Sequence, residues 1–166
     1  MLRWLVELAR PEADERGVRL IGGFTGASLP ALVVHRPSLE SALLNVFGNA
    51  ADATGPGGAI EIEARGAPGG DGREGAEIVI RDSGVGIAAH DLPHVFEPFY
   101  TTKPPGKGTG LGLSMAQKFV RAHGGTIRID SELGRGTVVR MWLPLIPPDA
   151  AAADCPAPAA AAEQAR

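Results

Sequence analysis

A glycine-rich stretch with lysines beside it contains the residue types that point most directly to chemistry. Residues 107–114 read Lys-Gly-Thr-Gly-Leu-Gly-Leu-Ser and lead into a helical pattern. The first amides of a helix have no partner within it and lie at the positive end of its dipole, so they bind anions such as phosphate. Lys103 and Lys107 add mobile positive charge. Because short glycine patterns also occur in plain connecting loops, a phosphate site needs support from the rest of the chain.

A line of polar side chains on an upstream helix could hold a cation. Asn45, Asn49 and Asp52 are spaced i, i+4 and i+7 on a helix predicted from Pro37 to about Thr54. At about 100° per residue they lie within an arc of roughly 60° beside the apolar stripe. Amide and carboxylate oxygens suit Mg²⁺, which keeps waters and phosphate oxygens among its ligands. The alternative is an ordinary solvated border of the apolar face.

Asp82 is a candidate for hydrogen bonding to the edge of a planar ligand. It ends a predicted strand and is followed by the sequence Ser-Gly-Val-Gly-Ile. An ionised carboxylate accepts hydrogen bonds from an amino group such as adenine N6, and the two glycines leave room for approach. The alternative is a plain Asp-Gly turn. Further on, residues 95–108 combine clustered aromatics with threonines, lysines and prolines, which predicts a lid.

The elements that must position these residues alternate between helix and strand patterns. Strands are predicted at 17–24, 31–35, 58–64, 76–81, 126–130 and 136–143, with an exposed hairpin loop at 65–75. The helix from Pro37 has a predicted buried stripe of Leu39, Ala42, Leu43, Val46, Phe47 and Ala50. A short helical turn is predicted at 91–95.

The two remaining helical patterns lie near the N-terminus and after the glycine loop. A second long helix is predicted from about Thr109 to His123, and its predicted buried face consists of Leu111, Met115, Phe119 and Ala122. Residues 1–9 form a short amphipathic segment that Pro11 is expected to interrupt.

Composition limits the class of protein. With 166 residues and 44% hydrophobic content, the chain is expected to form one globular domain. A net charge of −3 gives no support for nucleic-acid binding. The single cysteine, Cys155, fits a reducing compartment, and no apolar run approaches membrane length, so a cytoplasmic protein without membrane contact is expected. From Pro147 the chain is rich in Ala and Pro, which predicts a disordered tail.

In this order, the motifs resemble those of the ATP-binding catalytic domain of sensor histidine kinases, in the superfamily shared with gyrase, Hsp90 and MutL. The resemblance covers about residues 17–145. Residues 39–50 resemble the family's N box, 82–87 its first glycine box, 96–103 its F box and 107–114 its second glycine box. Residues 123–136 resemble the closing hairpin. The corresponding domain division is 1–16 for the remnant of an upstream helix and linker, 17–146 for the catalytic domain and 147–166 for the tail.

The resemblance implies a two-layer α/β sandwich of the Bergerat type, with a mixed, mostly antiparallel sheet of about five strands and helices on one face. It implies ATP and Mg²⁺ as cofactors, with Asn49 binding the metal and Asp82 reading the adenine amino group. Lys103 and Lys107 would neutralise the phosphates. The remaining residues that it assigns to the nucleotide site are Asp52, Gly84, Gly86, Ile87, Phe99, Thr101, Thr102, Gly108, Thr109, Gly110, Leu111, Gly112 and Leu113.

Asn45 distinguishes between activities within the superfamily. The ATP-hydrolysing members have a Glu there as general base, whereas an Asn amide cannot take up a proton at neutral pH. The resemblance therefore favours phosphoryl transfer from ATP to a histidine, with Asn45, Asn49, Lys103 and Lys107 as the catalytic set. The alternatives are a non-catalytic ATP-binding regulatory fragment and, less favoured, a gyrase/Hsp90-type ATPase.

The expected partners follow from the same resemblance. They are a dimerisation and phosphoacceptor helical domain that carries the substrate histidine outside this chain, and a response regulator downstream. The isolated domain is expected to be monomeric. His35, His90, His94 and His123 are the only histidines, and none lies in a helical-hairpin pattern.

Overall fold

Three α-helices and five strands make up the computed structural model, which describes residues 2–24, 32, 34–104, 106 and 108–145. The predicted tail at 147–166 lies outside these residues. The elements, in chain order, are α1 (Leu2–Glu15), β1 (Arg19–Phe24), α2 (Arg36–Ala53), β2 (Ala59–Pro68), β3 (Glu74–Asp82), a 3₁₀ turn (Leu92–His94), α3 (Gly112–Ala122), β4 (Thr126–Glu132) and β5 (Gly136–Pro144). None of the helices in this described part is long and apolar enough to cross a membrane.

The strands form one sheet in the order β1-β2-β3-β5-β4. Only β1 and β2 run parallel, and the other three pairings are antiparallel. Side chains alternate between the two faces of each strand. In β2, Ile60 and Ile62 are buried in the core, whereas Glu63 on the other face accepts a hydrogen bond from Arg81 at 3.0 Å. The predicted mixed, mostly antiparallel sheet and α/β sandwich are thus confirmed.

Helix α2 provides most of the helical side of the core. Its start fits Pro37 in the first turn, and the His35 carbonyl accepts hydrogen bonds from the Ser38 and Leu39 amides. The predicted stripe is confirmed, since Leu39, Ala42, Leu43, Val46, Phe47 and Ala50 are all buried. The stripe belongs to one cluster with the inward residues of the sheet, which are Ile60, Ile62, Ala64, Ile78, Ile80, Val139, Met141 and Leu143. Burial of one helix face therefore fixes which edge of α2 carries its polar line.

Two predictions near the N-terminus are wrong. Helix α1 continues through Pro11 to Glu15, because Ala9 and Ala13 on its inner face are buried in the core. A proline inside a helix costs roughly 3 kcal/mol, so the tertiary contacts of α1 must offset that cost. The predicted strand at 31–35 does not form at the described positions 32, 34 and 35, since the His35 backbone caps α2 instead of joining the sheet. Residues 31 and 33 lie outside the described part.

The hairpin loop between β2 and β3 is shorter than predicted. The two strands stay paired as far as Pro68 and Glu74, so the loop comprises only 69–73. Trp142 explains the extension, because its indole nitrogen donates a hydrogen bond to the Ala67 carbonyl at 2.8 Å. The ring also lies where a side chain at Gly69 or Gly75 would project. Trp142 of β5 thus reaches across β3 and stabilises the paired ends of β2 and β3.

The second long helix differs from prediction in its start and its buried face. Helix α3 begins at Gly112 and not at Thr109, and it buries Ala116, Phe119 and Val120. Met115, which was predicted to be buried, is 53% exposed. Phe119 of the predicted face is buried, whereas Leu111 and Ala122 are not, so the buried face is turned relative to the prediction.

Candidate functional site

A cavity of about 720 Å³ lies between α2, the end of β3, the loop after Tyr100 and the start of α3. It brings together most of the residues that the sequence assigned to a nucleotide site. Those that line it are Asn45, Asn49, Asp52, Asp82, Gly86, Ile87, Thr101, Thr102, Lys103, Gly108, Thr109, Gly110, Leu111, Gly112 and Leu113. Gly84 and Phe99 do not line it, and Lys107 lies outside the described residues.

The Asp82 carboxylate uses only one of its oxygens within the protein. Its Oδ1 accepts hydrogen bonds from the Gly84 amide at 2.9 Å and from the Thr137 amide at 3.2 Å. Among the described residues, none donates to Oδ2, which is left for a donor in the cavity. Burial raises the pKa of Asp82 above its ordinary value, although the two backbone hydrogen bonds oppose the shift. The carboxylate is thus fixed in orientation by β3 and β5 and is kept available for a ligand.

Glycines around the cavity serve the protein backbone as much as any ligand. Gly86 has φ +70°, and a Cβ there would overlap the Glu132 carbonyl. Gly110 has φ +65°, and its Cβ would overlap the backbone of Phe99, whose amide donates a hydrogen bond to the Gly110 carbonyl at 2.9 Å. The sequence suggested that these glycines admit a ligand. The structure shows that they are first required for close approach between loops.

Phe99, which does not line the cavity, joins the two ends of the lid loop. It has φ 68°, a left-handed conformation that is uncommon for a bulky residue, and its side chain is 74% exposed. The hydrogen bond to Gly110 holds it there. The loop that carries Thr101, Thr102 and Lys103 therefore begins and ends at one fixed point.

The start of α3 lies against the two asparagines of α2. A Cβ on Gly112 would be 3.6 Å from both the Asn45 Cβ and the Asn49 amide nitrogen, so the two helices approach closely there. No side-chain hydrogen bond caps α3 at Leu111. Its first amides are thus available at the cavity wall for an anion, as the sequence predicted for the glycine-rich stretch.

A cation already occupies the position between Asn49 and Asp52. The Lys103 ammonium donates to Asn49 Oδ1 at 3.1 Å and to Asp52 Oδ2 at 2.5 Å. The other carboxylate oxygen of Asp52 accepts from Arg16 at 2.5 Å. Burial of Asp52 opposes the shift, but the hydrogen bonds from Lys103 and Arg16 lower its pKa below the ordinary value. Two of the three residues in the predicted oxygen line on α2 therefore contact a positive charge, here that of a lysine.

The same oxygens fit a divalent metal only in part. Asn49 Oδ1 and Asp52 Oδ2 are hard donors that converge on one cation. In the part of the chain described, no group of three or more His, Cys, Asp or Glu side chains could hold a metal ion. A Mg²⁺ ion at Asn49 would therefore need waters and ligand phosphates to complete its coordination, which is the pattern that Mg²⁺ prefers.

Two of the contacts that the sequence did not predict involve residues that it had not assigned to this site. Tyr100 donates a hydrogen bond from its hydroxyl to Asp91 Oδ1, and both residues line the cavity. Arg16 reaches Asp52 from the end of α1. The clustering of aromatics near Tyr100 was the only sequence signal for the first contact, and nothing in the sequence pointed to the second.

The four histidines lie away from any helical hairpin in the described residues. His35 precedes α2, His123 follows α3, and His90 and His94 flank or end the 3₁₀ turn. His94 Nδ1 lies 2.8 Å from Glu97 Oε1, and His123 Nδ1 lies 2.9 Å from the Phe119 carbonyl oxygen. That the phosphate acceptor lies outside this chain stays a prediction.

Comparison with known proteins identifies the class to which this fold and cavity belong. The family described as "Histidine kinase-, DNA gyrase B-, and HSP90-like ATPase" matches residues 35–147, and the chain belongs to this family. The sensor histidine kinase ZraS of Escherichia coli strain K12 is 37% identical over 141 residues, which are 84% of this chain and 28% of ZraS. The predicted family is thereby confirmed as that of the sensor histidine kinases.

Solved structures of histidine kinases share the fold. The mycobacterial sensor histidine kinase MprB has a TM-score of 0.69 and 29% identity, over 86% of this chain and 93% of that one. Full-length ShkA, solved in complex with AMPPNP, has a TM-score of 0.74 and 30% identity, over 86% of this chain and 29% of that one. The chain spans just over a quarter of the length of ZraS, so it corresponds to the ATPase domain of such kinases.

Proposed function

We propose that this domain binds Mg-ATP and transfers the γ-phosphoryl group to a histidine on a separate helical dimerisation and phosphoacceptor domain, within two-component signalling. The observation that carries the proposal is the orientation of Asp82. One of its oxygens is bound by backbone amides while the other is left for a donor in the cavity. The AMPPNP complex of the related ShkA supports an ATP-type ligand.

The nucleotide would lie in the cavity with its base at Asp82 and its phosphates at the start of α3. Asp82 Oδ2 would accept a hydrogen bond from the adenine amino group, and the uncapped amides at the start of α3 would bind phosphate oxygens. Lys103 would exchange its contacts with Asn49 and Asp52 for the phosphates. Asn49, relieved of the ammonium, would then hold Mg²⁺ through Oδ1. When bound, the metal would neutralise charge on the phosphate oxygens.

Asn45 favours transfer over hydrolysis. It lines the cavity beside Asn49 and the start of α3, and its amide cannot accept a proton from water at neutral pH. In the proposed reaction, the bond from the γ-phosphorus to the ADP oxygen breaks and a bond to an imidazole nitrogen forms. The chain's residues position the phosphates and balance their charge, which is most of what phosphoryl transfer requires. A response regulator would be the next acceptor.

Label transfer tests this proposal. The full chain is incubated with γ-³²P-labelled ATP, Mg²⁺ and a purified helical phosphoacceptor fragment of a sensor histidine kinase, and Mg-ADP binding is measured in parallel by calorimetry. Acid-labile label on the fragment is expected, and it should disappear when the acceptor histidine is replaced. Steady release of free phosphate would favour the ATPase alternative. Binding without either product, across several fragments, would favour a regulatory ATP-binding module.

A further inference from the structure

Asp52 is bound by two cations that come from opposite sides. Arg16, just after α1, contacts Oδ1, and Lys103, in the loop after Tyr100, contacts Oδ2. Lys103 and Asp52 line the cavity, whereas Arg16 does not. The three side chains are each roughly one-third exposed, so their pairing depends on water and salt as well as on geometry. Among the described residues, Asp52 is therefore the one charged cavity residue with which the end of α1 forms an ion pair.

The position of Arg16 is set by the fold and not by a flexible tail. Ala13 is fully buried, and the Val18 amide donates a hydrogen bond to its carbonyl at 2.8 Å. Gly17 is tied to the loop after α2, because its carbonyl accepts a hydrogen bond from the Gly57 amide at 2.8 Å. Arg16 also pairs with Glu12 one turn earlier at 2.9 Å. A movement of α1 would consequently move the guanidinium relative to Asp52.

We infer that Arg16 is a positioning residue for the nucleotide site, which acts through Asp52 to release Lys103 for the polyphosphate. This inference rests on the proposed ATP binding. A polyphosphate and the Asp52 carboxylate compete for the same ammonium. When Arg16 shares the carboxylate, it weakens the hold on Lys103 and offsets the repulsion between Asp52 and the incoming phosphates. Without Arg16, Asp52 holds Lys103 more firmly, and once Lys103 moves to the phosphates the Asp52 charge faces the ligand without a cationic partner among these three residues.

The coupling must act in both directions. If Arg16 favours nucleotide binding, then bound nucleotide strengthens the Arg16–Asp52 contact by the same factor. Removal of Lys103 to the phosphates leaves Arg16 as the sole cationic partner of Asp52 among these three residues. The C-terminal end of α1 is then held more firmly against α2. The contacts of Arg16, Asp52 and Lys103 therefore couple nucleotide binding in the cavity to the packing of α1 against α2.

Calorimetry on the full chain tests the inference. Arg16→Ala should weaken Mg-ADP binding by about two- to fivefold, the range of partly exposed ion pairs. Arg16→Lys should restore most of the affinity. In an Asp52→Asn background, Arg16→Ala should have no further effect, because the shared partner is gone. Arg36→Ala is the matched control, since Arg36 forms a comparable surface pair with Glu40 at 2.6 Å away from the cavity, and it should leave affinity unchanged.

Hydrogen exchange distinguishes this role from a purely structural one, because a structural arginine would not make amide exchange near α1 depend on bound nucleotide. Mg-ADP should slow amide exchange at residues 13–18 in the wild type, and this protection should be lost in Asp52→Asn. If wild type binds Mg-ADP but Arg16→Ala binds equally well, the inference is wrong and the proposed function stands. If wild type does not bind Mg-ADP, both are wrong. Arg16→Gln, which keeps the aliphatic stem, decides the matter should Arg16→Ala fail to fold.

Discussion

Replacement of Asp82 by asparagine should weaken nucleotide binding without destabilising the fold, because it changes only the carboxylate oxygen Oδ2 into an amide nitrogen. The amide oxygen can take the place of Oδ1 and keep the hydrogen bonds from the Gly84 and Thr137 amides. The amide nitrogen then replaces Oδ2 and presents a donor where an adenine amino group would also donate. The fold should therefore survive the change, while nucleotide recognition should not.

The size of the binding loss follows from the hydrogen bond that is removed. A hydrogen bond to a charged group contributes about 1.5–3 kcal/mol, so affinity for Mg-ADP should fall by about 10- to 150-fold. Nucleotide at about 100 times the wild-type Kd stabilises the folded protein by about 2.7 kcal/mol. After a 100-fold loss of affinity, the same concentration would contribute only about 0.4 kcal/mol. The thermal shift with ligand should nearly vanish.

Without ligand, the sign of the effect reverses. Burial raises the pKa of Asp82 in the folded state, so the stability associated with its protonated form is present below the unfolded pKa, near 3.8, and is lost as pH rises through the folded pKa. At neutral pH the ionised carboxylate therefore lowers stability relative to a neutral amide. Asp82→Asn should melt at the same temperature as wild type or higher at pH 7.5. This advantage should shrink as pH falls below the folded pKa and wild-type Asp82 becomes protonated.

Thermal melts with and without Mg-ADP, at pH 7.5 and at pH 4, would measure both effects. Asp130→Asn serves as control, because Asp130 is an exposed carboxylate on β4 that pairs with Arg140 at 3.4 Å, outside the cavity. Equal nucleotide affinity in Asp82→Asn and wild type would refute the assignment of Asp82 to the base. If Asp82→Asn without ligand melted at a lower temperature than wild type at pH 7.5, the conclusion that the Asp82 charge destabilises the fold would be wrong.

Two other substitutions test the remaining parts of the site. Asn49→Ala should remove the Mg²⁺-dependent share of nucleotide affinity, about 1–3 kcal/mol, so that titrations with Mg²⁺ and with EDTA give similar Kd values; a persisting metal effect would exclude Asn49 as the ligand. Gly110→Ala should destabilise the chain by at least about 1 kcal/mol, or about 2–4 °C in Tm, because its Cβ would overlap Phe99. Gly134→Ala has a similar φ with open space around it, so a melt as low as that of Gly110→Ala would show that backbone conformation alone is responsible.

Much of the site was predictable because it depends on local periodicity. The 18 residues of α2 have one strong apolar stripe, and that stripe fixes where Asn45, Asn49 and Asp52 point. The glycine-rich stretch and the end of β3 could likewise be predicted as parts of the site from their composition. These segments come together at one cavity.

Apart from the contact between Tyr100 and Asp91, the contacts that the sequence did not predict join residues that are far apart in sequence. Arg16 and Asp52 are separated by 36 positions, Asp52 and Lys103 by 51, and the Thr137 amide that binds Asp82 by 55. Such pairs depend on strand order and helix placement, which a single sequence does not specify. The error in the buried face of α3 has a different origin. Leu111 and Met115 are apolar residues at helical spacing, but they line the cavity instead of packing in the core.

The hydrogen bond between Phe99 and Gly110 also has a consequence for chain entropy. It joins the chain on both sides of residues 100–109, so this segment forms a ring closed at its base. The entropic penalty of such a ring grows only with the logarithm of its length, at about 0.6 kcal/mol for each doubling. Insertions or deletions between these two residues should therefore be tolerated by the fold. The reach of Lys103 could change through loop length while the walls of the cavity stay the same.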